Sequence, residues 1–126
     1  MIGEDANSTI INGQLEQYYP HLGGLADWST VLIGASNVLI KGFMITNGEN
    51  AIGIGQNSNS HVLSGIRIVG NILVGNIGGI DDLGNSLDNN LIVSGNYIVN
   101  NSEIGLTLYS SNMTFTTIFF LAINMH

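Results

Sequence analysis

Asn37-Val38-Leu39-Ile40-Lys41-Gly42 returns as Gly65-Ile66-Arg67-Ile68-Val69-Gly70 and again as Asn90-Leu91-Ile92-Val93-Ser94-Gly95. A degenerate earlier copy is Ser8-Thr9-Ile10-Ile11-Asn12-Gly13, and a later one is Asn112-Met113-Thr114-Phe115-Thr116-Thr117. Aligned on the closing Gly, or on Thr117 in the last copy, successive copies stand 29, 28, 25 and 22 residues apart. Repeats of this length mean units that pack only on their neighbours. A helical repeat would hold its period more strictly. A drift of a few residues suits a coil of strands whose turns absorb insertions.

Inside each copy the apolar residues alternate with the period of two that marks a strand. Val38 and Ile40, Ile66 and Ile68, Leu91 and Val93, and Met113 and Phe115 fall on one face. The closing Gly is followed by a bend at Phe43, Asn71 or Asn96, then by a second short strand that carries Ile45, Leu73, Ile98 and Phe120 inward. An Asn/Gly turn comes next, as Asn47-Gly48, Gly75-Asn76 and Asn100-Asn101. A third strand is led by Gly, as Gly53-Ile54, Gly79-Ile80 and Gly105-Leu106. The sequence therefore predicts an all-β fold, a right-handed parallel β-helix. It is a single-stranded solenoid of about four to five coils, each strand bonded to its equivalent ~4.8 Å away. Equivalent corner residues then stack on themselves. Asn71 above Asn96 would form a two-rung amide ladder, broken by Phe43 below and Ile118 above.

Composition agrees. The 126 residues are enough for one domain, and 44% of them are hydrophobic, enough for a core. Charged residues make up only 9%, against ~25% in ordinary globular domains, so polarity rests on Asn, Ser and Thr. The chain has 17 Asn and 17 Gly but one Pro, a supply of residues that tolerate left-handed turns. The net charge of −7 leaves only Lys41 and Arg67 as cations, which argues against nucleic acid as a partner. No cysteine is present to make disulfides or a thiolate metal site. Asn-x-Ser/Thr triplets begin at Asn7, Asn100 and Asn112, as an Asn-rich chain produces by chance. No apolar run approaches the ~20 residues of a membrane span. The start of the chain lacks the basic and apolar regions of a signal peptide, so a signal for export would lie upstream.

Gly95-Asn96-Tyr97-Ile98-Val99-Asn100-Asn101, and still more Ser36-Asn37-Val38-Leu39-Ile40-Lys41-Gly42-Phe43-Met44-Ile45-Thr46-Asn47-Gly48, resembles the parallel β-helix repeat of the pectate-lyase-like superfamily. That superfamily includes polysaccharide lyases, polygalacturonases, epimerases, NosD-type periplasmic proteins and adhesin-like surface proteins. The resemblance covers roughly residues 8–117 and concerns the structural repeat, so it speaks to fold more than to function. It implies an extracellular or cell-surface protein. Residues 1–126 form one β-helix domain. Residues 14–30 are a loop excursion without the repeat phrase, and 116–126 are an atypical or frayed last coil. Neither end shows a capping helix, so a fragment of a longer solenoid is expected, with strand edges open to end-to-end self-association.

Asp81-Asp82 is the only adjacent acidic pair in the repeat region. The resemblance implies a sugar groove along one outer face, where enzymes of the superfamily place acid pairs or carboxylates that hold calcium. Asp81 and Asp82 are thus the candidate glycan or cation contacts, with calcium the one cofactor raised. A calcium site wants ~6–8 oxygens, and glycoside hydrolysis needs two carboxylates ~5–9.5 Å apart. The equivalent positions on neighbouring coils are Gly55-Gln56 and Thr107-Leu108, which add no acid, so solvated turn acids are the plainer alternative. Tyr18, Tyr19 and Trp28 are candidates for stacking on a sugar ring, against a loop that simply buries its aromatics. Arg67 points outward as a solubilising charge. His21, His61 and His126 are scattered and suggest no metal site. Gly53-Ile54-Gly55 and Gly78-Gly79 open no helix, so they form no phosphate loop.

No catalytic residue is assigned. The function expected is a noncatalytic surface segment, adhesin-like, that contacts a polysaccharide, a surface glycan or a partner protein. The alternatives are a fragment of a polysaccharide lyase or glycoside hydrolase, and a structural spacer.

Overall fold

The computed structural model describes residues 1–13, 29–55, 63–82, 89–102, 105–107, 111–116 and 119–121. The described strands run, in chain order, β1 (Ile10–Asn12), β2 (Ser29–Ile33), β3 (Leu39–Lys41), β4 (Met44–Thr46) and β5 (Asn50–Ile54). They continue as β6 (Arg67–Val69), β7 (Ile72–Val74), β8 (Gly78–Asp82), β9 (Asn89–Ser94) and β10 (Tyr97–Val99). The last are β11 (Leu106–Thr107), β12 (Ser111–Thr116) and β13 (Phe119–Leu121). They make three sheets. The first is ordered β3-β6-β9-β12, the second β1-β4-β7-β10-β13 and the third β2-β5-β8-β11. From β3 onward the chain visits the sheets in strict rotation, and every named pairing is parallel. The fold is β-solenoid-like.

The core lies between the three sheets. Ile40, Ile68 and Val93 are register partners in the first sheet. Ile45, Leu73 and Ile98 are partners in the second. Ile52 and Ile80 are partners in the third, with Val31 and Leu106 flanking them. The eight residues named first on each wall are all buried, while Val31 and Leu106 pack partly buried against them. Burying one such side chain stabilises by ~1.5–3 kcal/mol. Because side chains alternate along a strand, the same register that stacks these residues inside also stacks their neighbours outside.

Two corners are built alike in successive layers. Between the first and second sheets, Gly42, Gly70 and Gly95 all have positive φ, a conformation that costs Gly nothing. The next residue is Phe43, Asn71 or Asn96. The Asn71 backbone N–H donates to Asn96 Oδ1 at 2.9 Å, and Asn71 Nδ2 donates to the same oxygen at 3.1 Å. Asn71 Nδ2 also donates to the Ile40 carbonyl at 3.0 Å, and Asn96 Nδ2 to the Ile68 carbonyl at 2.8 Å. The expected ladder is therefore present, and the Phe43 N–H closes it by donating to Asn71 Oδ1 at 3.1 Å. Ile118, expected at its other end, lies outside the described residues.

A second ladder, which the sequence reading did not anticipate, stands at the next corner. Asn47, Gly75 and Asn100 take positive φ there. Asn76 donates its backbone N–H to Asn101 Oδ1 at 3.0 Å, and its side-chain amide reaches the same oxygen at 3.2 Å and the Ile45 carbonyl at 3.0 Å. Asn101 Nδ2 donates to the Leu73 carbonyl at 3.1 Å. The ladder ends on Gly48, whose N–H donates to Asn76 Oδ1 at 2.9 Å. A Cβ at Gly48 would overlap Thr30 Oγ1, so no Asn fits there to extend it.

Three expectations are corrected. Ile10–Asn12 does not join the first sheet as a copy of the Asn37–Gly42 phrase. It pairs with β4, Ile11 beside Ile45, while the first sheet is continued by a bridge from Ile2 to Lys41. Ser8–Gly13 matched the phrase because a short strand closed by Gly occurs in both sheets. Gly53-Ile54 is not the equivalent of Gly79-Ile80: Ile52 pairs with Ile80, so Ala51 takes the place of Gly79. Equal counting from the Asn76 corner gives that register, whereas matching Gly to Gly does not. The stretch 14–30 is not wholly loop, because β2 begins at Ser29 in a β-branched run. Within 116–126, β13 continues the second sheet and pairs Phe120 with Ile98, as expected of the last copy's second strand.

Candidate functional site

Each sheet turns one face outward, and the three faces differ in chemistry. On the first sheet the exposed side chains of Lys41 and Arg67 stand on neighbouring strands. Leu39 and Ile92 flank Arg67 in the register, and Val69 lies beside Lys41. Both Lys and Arg residues of the chain thus share one face. Arg67 is exposed there, as its alternation with the inward Ile66 and Ile68 requires.

The third sheet carries Asp81 and Asp82 at the end of β8. Asp81 is half-buried and Asp82 is only 3% exposed. Asp82 alternates inward with Ile80 and pairs with Ile54, so the two carboxylates do not share a face. The register partners of Asp81 are Gly53 and Thr107. Thr107 was expected. Gly53 replaces the expected Gly55, because the true register is set two residues earlier. Asn50 Nδ2 donates to Asp81 Oδ2 at 3.4 Å, a long bond. Burial holds the Asp81 carboxyl above its ordinary range. The charge of Asp82 adds to this, and the Asn50 hydrogen bond opposes it.

Among the described residues no three His, Cys, Asp or Glu side chains come together as a metal site would need. Asp81, Asp82 and Asn50 fall short of the ~6–8 oxygens that calcium takes. Tyr18, Tyr19 and Trp28, with His21, His61 and His126, lie outside the described residues. No described helix is long and apolar enough to cross a membrane.

The second sheet differs from both. Its outward positions on β1, β4, β7 and β10 are Ile10, Met44, Ile72 and Tyr97 in one row and Asn12, Thr46, Val74 and Val99 in the other. The sheet goes on to β13, whose Phe119 and Leu121 are the register partners of Tyr97 and Val99. None of the residues in these rows is charged, and polar groups come only from Asn12, Thr46 and the Tyr97 hydroxyl. Ile10 is 57% exposed and Tyr97 47%. The sequence reading did not single out this face. Its signal is the alternation around Ile45, Leu73 and Ile98, where the residues between the inward ones are apolar as well.

Comparison with known protein families, with curated proteins and with solved structures finds no match to this chain.

Proposed function

We propose that the chain is a noncatalytic segment of an extracellular or cell-surface β-helix that presents a flat face to an extended ligand, a glycan or a partner protein. In this proposal the solenoid is a right-handed parallel β-helix of the pectate-lyase-like kind, with about four to five coils at ~4.8 Å spacing. The supporting observation is the register: outward residues of successive strands stand side by side, as in Met44–Ile72–Tyr97 and Leu39–Arg67–Ile92. A straight row of side chains at fixed spacing suits a long, repeating partner better than a small molecule. The test is binding to an array of neutral and acidic polysaccharides, with and without millimolar calcium. Binding by the wild-type chain that Asp81→Ala with Asp82→Ala leaves intact supports a noncatalytic face away from the acid pair. No binding to any polysaccharide removes the glycan arm and leaves protein contact.

One observation favours a second proposal, a polysaccharide-cleaving enzyme. Burial and the charge of Asp82 shift the Asp81 carboxyl upward, the direction that favours a general acid. Release of new sugar ends from any polysaccharide, lost in Asp81→Asn, would favour this over the noncatalytic proposal.

A further inference from the structure

We propose that Asn47-Gly48 is a latent self-modification site, at which Asn47 converts to aspartate and isoaspartate when the second ladder opens. Asn is thermolabile because its side-chain carbonyl carbon lies within reach of the next backbone nitrogen. Here the Gly48 nitrogen attacks Asn47 Cγ. A C–N bond forms, the Cγ–Nδ2 bond breaks, and ammonia leaves with the proton that the Gly48 nitrogen gives up. Water then opens the cyclic imide at either carbonyl. Opening at Cγ gives aspartate. Opening at the backbone carbonyl gives isoaspartate, whose main chain is one carbon longer.

The corner itself selects the reactive pair. The chain has two Asn-Gly pairs, Asn12-Gly13 and Asn47-Gly48. Gly has no side chain to shield the attacking nitrogen, whereas Asn71, Asn76 and Asn96 are followed by Ile72, Ile77 and Tyr97. Gly is required at 48 because a Cβ there would overlap Thr30 Oγ1. Asn47 takes the positive φ of the turn, 60°, which Asn tolerates better than most residues. Its side chain is exposed. The demands of the turn thus bring together the two residues most prone to this reaction.

The ladder restrains it. Gly48 is buried, and its N–H donates to Asn76 Oδ1 at 2.9 Å. A nitrogen bonded in this way is hindered from losing its proton and from swinging toward Asn47 Cγ. The Gly13 N–H is held by a different group, the Thr46 carbonyl at 2.8 Å. The two pairs share a chemistry but not a lock. Conversion also keeps the corner open. Three residues join β4 to β5, Asn47 to Glu49, and three join β7 to β8, Gly75 to Ile77. An extra backbone carbon at 47 takes Gly48 out of line with Asn76, so each conversion is a permanent mark of a corner that has opened.

Peptide mapping by mass spectrometry tests this on the full chain, held at mildly alkaline pH, by reading aspartate plus isoaspartate at Asn47 and Asn12. Folded wild type should convert both sites at least about tenfold more slowly than the same chain unfolded in urea. Asn76→Ala should speed conversion at Asn47 by at least about tenfold and leave Asn12 near its folded rate. Equal rates at Asn47 in folded and unfolded wild type overturn the proposal, as does an unchanged Asn47 rate in Asn76→Ala. If Asn12 rises together with Asn47, the variant has opened more than this corner, and backbone hydrogen exchange at Gly48 in wild type decides. Protection matching that of β7 upholds the lock, and exchange at the unfolded rate overturns it.

Discussion

The corner between the first and second sheets and the return from the third sheet to the first do the same topological task under opposite constraints. The corner has the same length each time: two residues separate β3 from β4, β6 from β7 and β9 from β10. The return takes twelve residues from β5 to β6, six from β8 to β9 and three from β11 to β12. At two of these corners the second residue, Asn71 or Asn96, puts a buried amide between layers with partners fixed by the register, and at the third the Phe43 N–H takes its place as the donor that ends the ladder. The drift in repeat spacing falls mainly in these returns, outside the two Asn corners.

That contrast can be broken most severely by length. One residue inserted between Gly70 and Asn71 would turn the inward residues of β7 outward and pull Asn71 from Asn96. Loss of cooperative thermal unfolding, or of soluble protein, is the expected outcome. Two residues inserted in the 56–62 return should cost well under ~1 kcal/mol, since loop entropy grows slowly with length. Equal damage from the two insertions would refute the comparison.

Next in size is Asn96→Leu. It leaves the Asn71 N–H and amide without their acceptor at a buried position, at ~1–3 kcal/mol for each unsatisfied group. A urea midpoint little changed from wild type would mean the ladder contributes nothing. Leu73→Ala should cost ~2–5 kcal/mol because Leu73 is fully buried, and Ile72→Ala, one residue away and facing out, much less. Gly48→Ala should cost ~1–3 kcal/mol through the overlap with Thr30. Thr30→Ser in the same chain should not rescue it, because the hydroxyl that obstructs remains. Thr30→Ala should.

The smallest effect is electrostatic. With the Asp81 carboxyl raised in the folded chain, ionisation at neutral pH is penalised there and not in the unfolded chain. Asp81→Asn should therefore raise the melting temperature at neutral pH. The gain should shrink as pH falls below the ordinary carboxylate range, where both states are protonated. A gain that persists unchanged in acid would point to packing as its source.

Much of this architecture was legible in the residues. The alternation around Ile40, Ile68 and Val93 and the recurrence of Asn71 as Asn96 gave strands, stacking and one ladder, because each is a local pattern repeated at an interval. The Asn76–Asn101 ladder was missed although its spacing equals that of Asn71 and Asn96. Its layer below is Gly48, and Gly75-Asn76 and Asn100-Asn101 were read only as a turn, although Asn76 and Asn101 are buried. In the third sheet the equivalence of Gly79-Ile80 with Gly105-Leu106 held, but the register of β5 was missed because Gly53 looks equivalent to Gly79 while the pairing follows Ile52 and Ile80. For the candidate site, sequence identified the acid pair but not its geometry. Whether Asp81 and Asp82 share a face depends on where β8 ends, and the apolar second face shows only once the register lines up its rows.

Side-chain amide hydrogen exchange, followed by NMR with assignment of the Asn Nδ2 signals, tests the stacked-corner account most directly. Protection of the Asn71, Asn96, Asn76 and Asn101 side-chain amides at a level matching the strand backbone, with Asn47 and Asn100 exchanging fast, is the predicted result. Equally fast exchange at all six would contradict the account, since the corners would then not be bonded layer to layer.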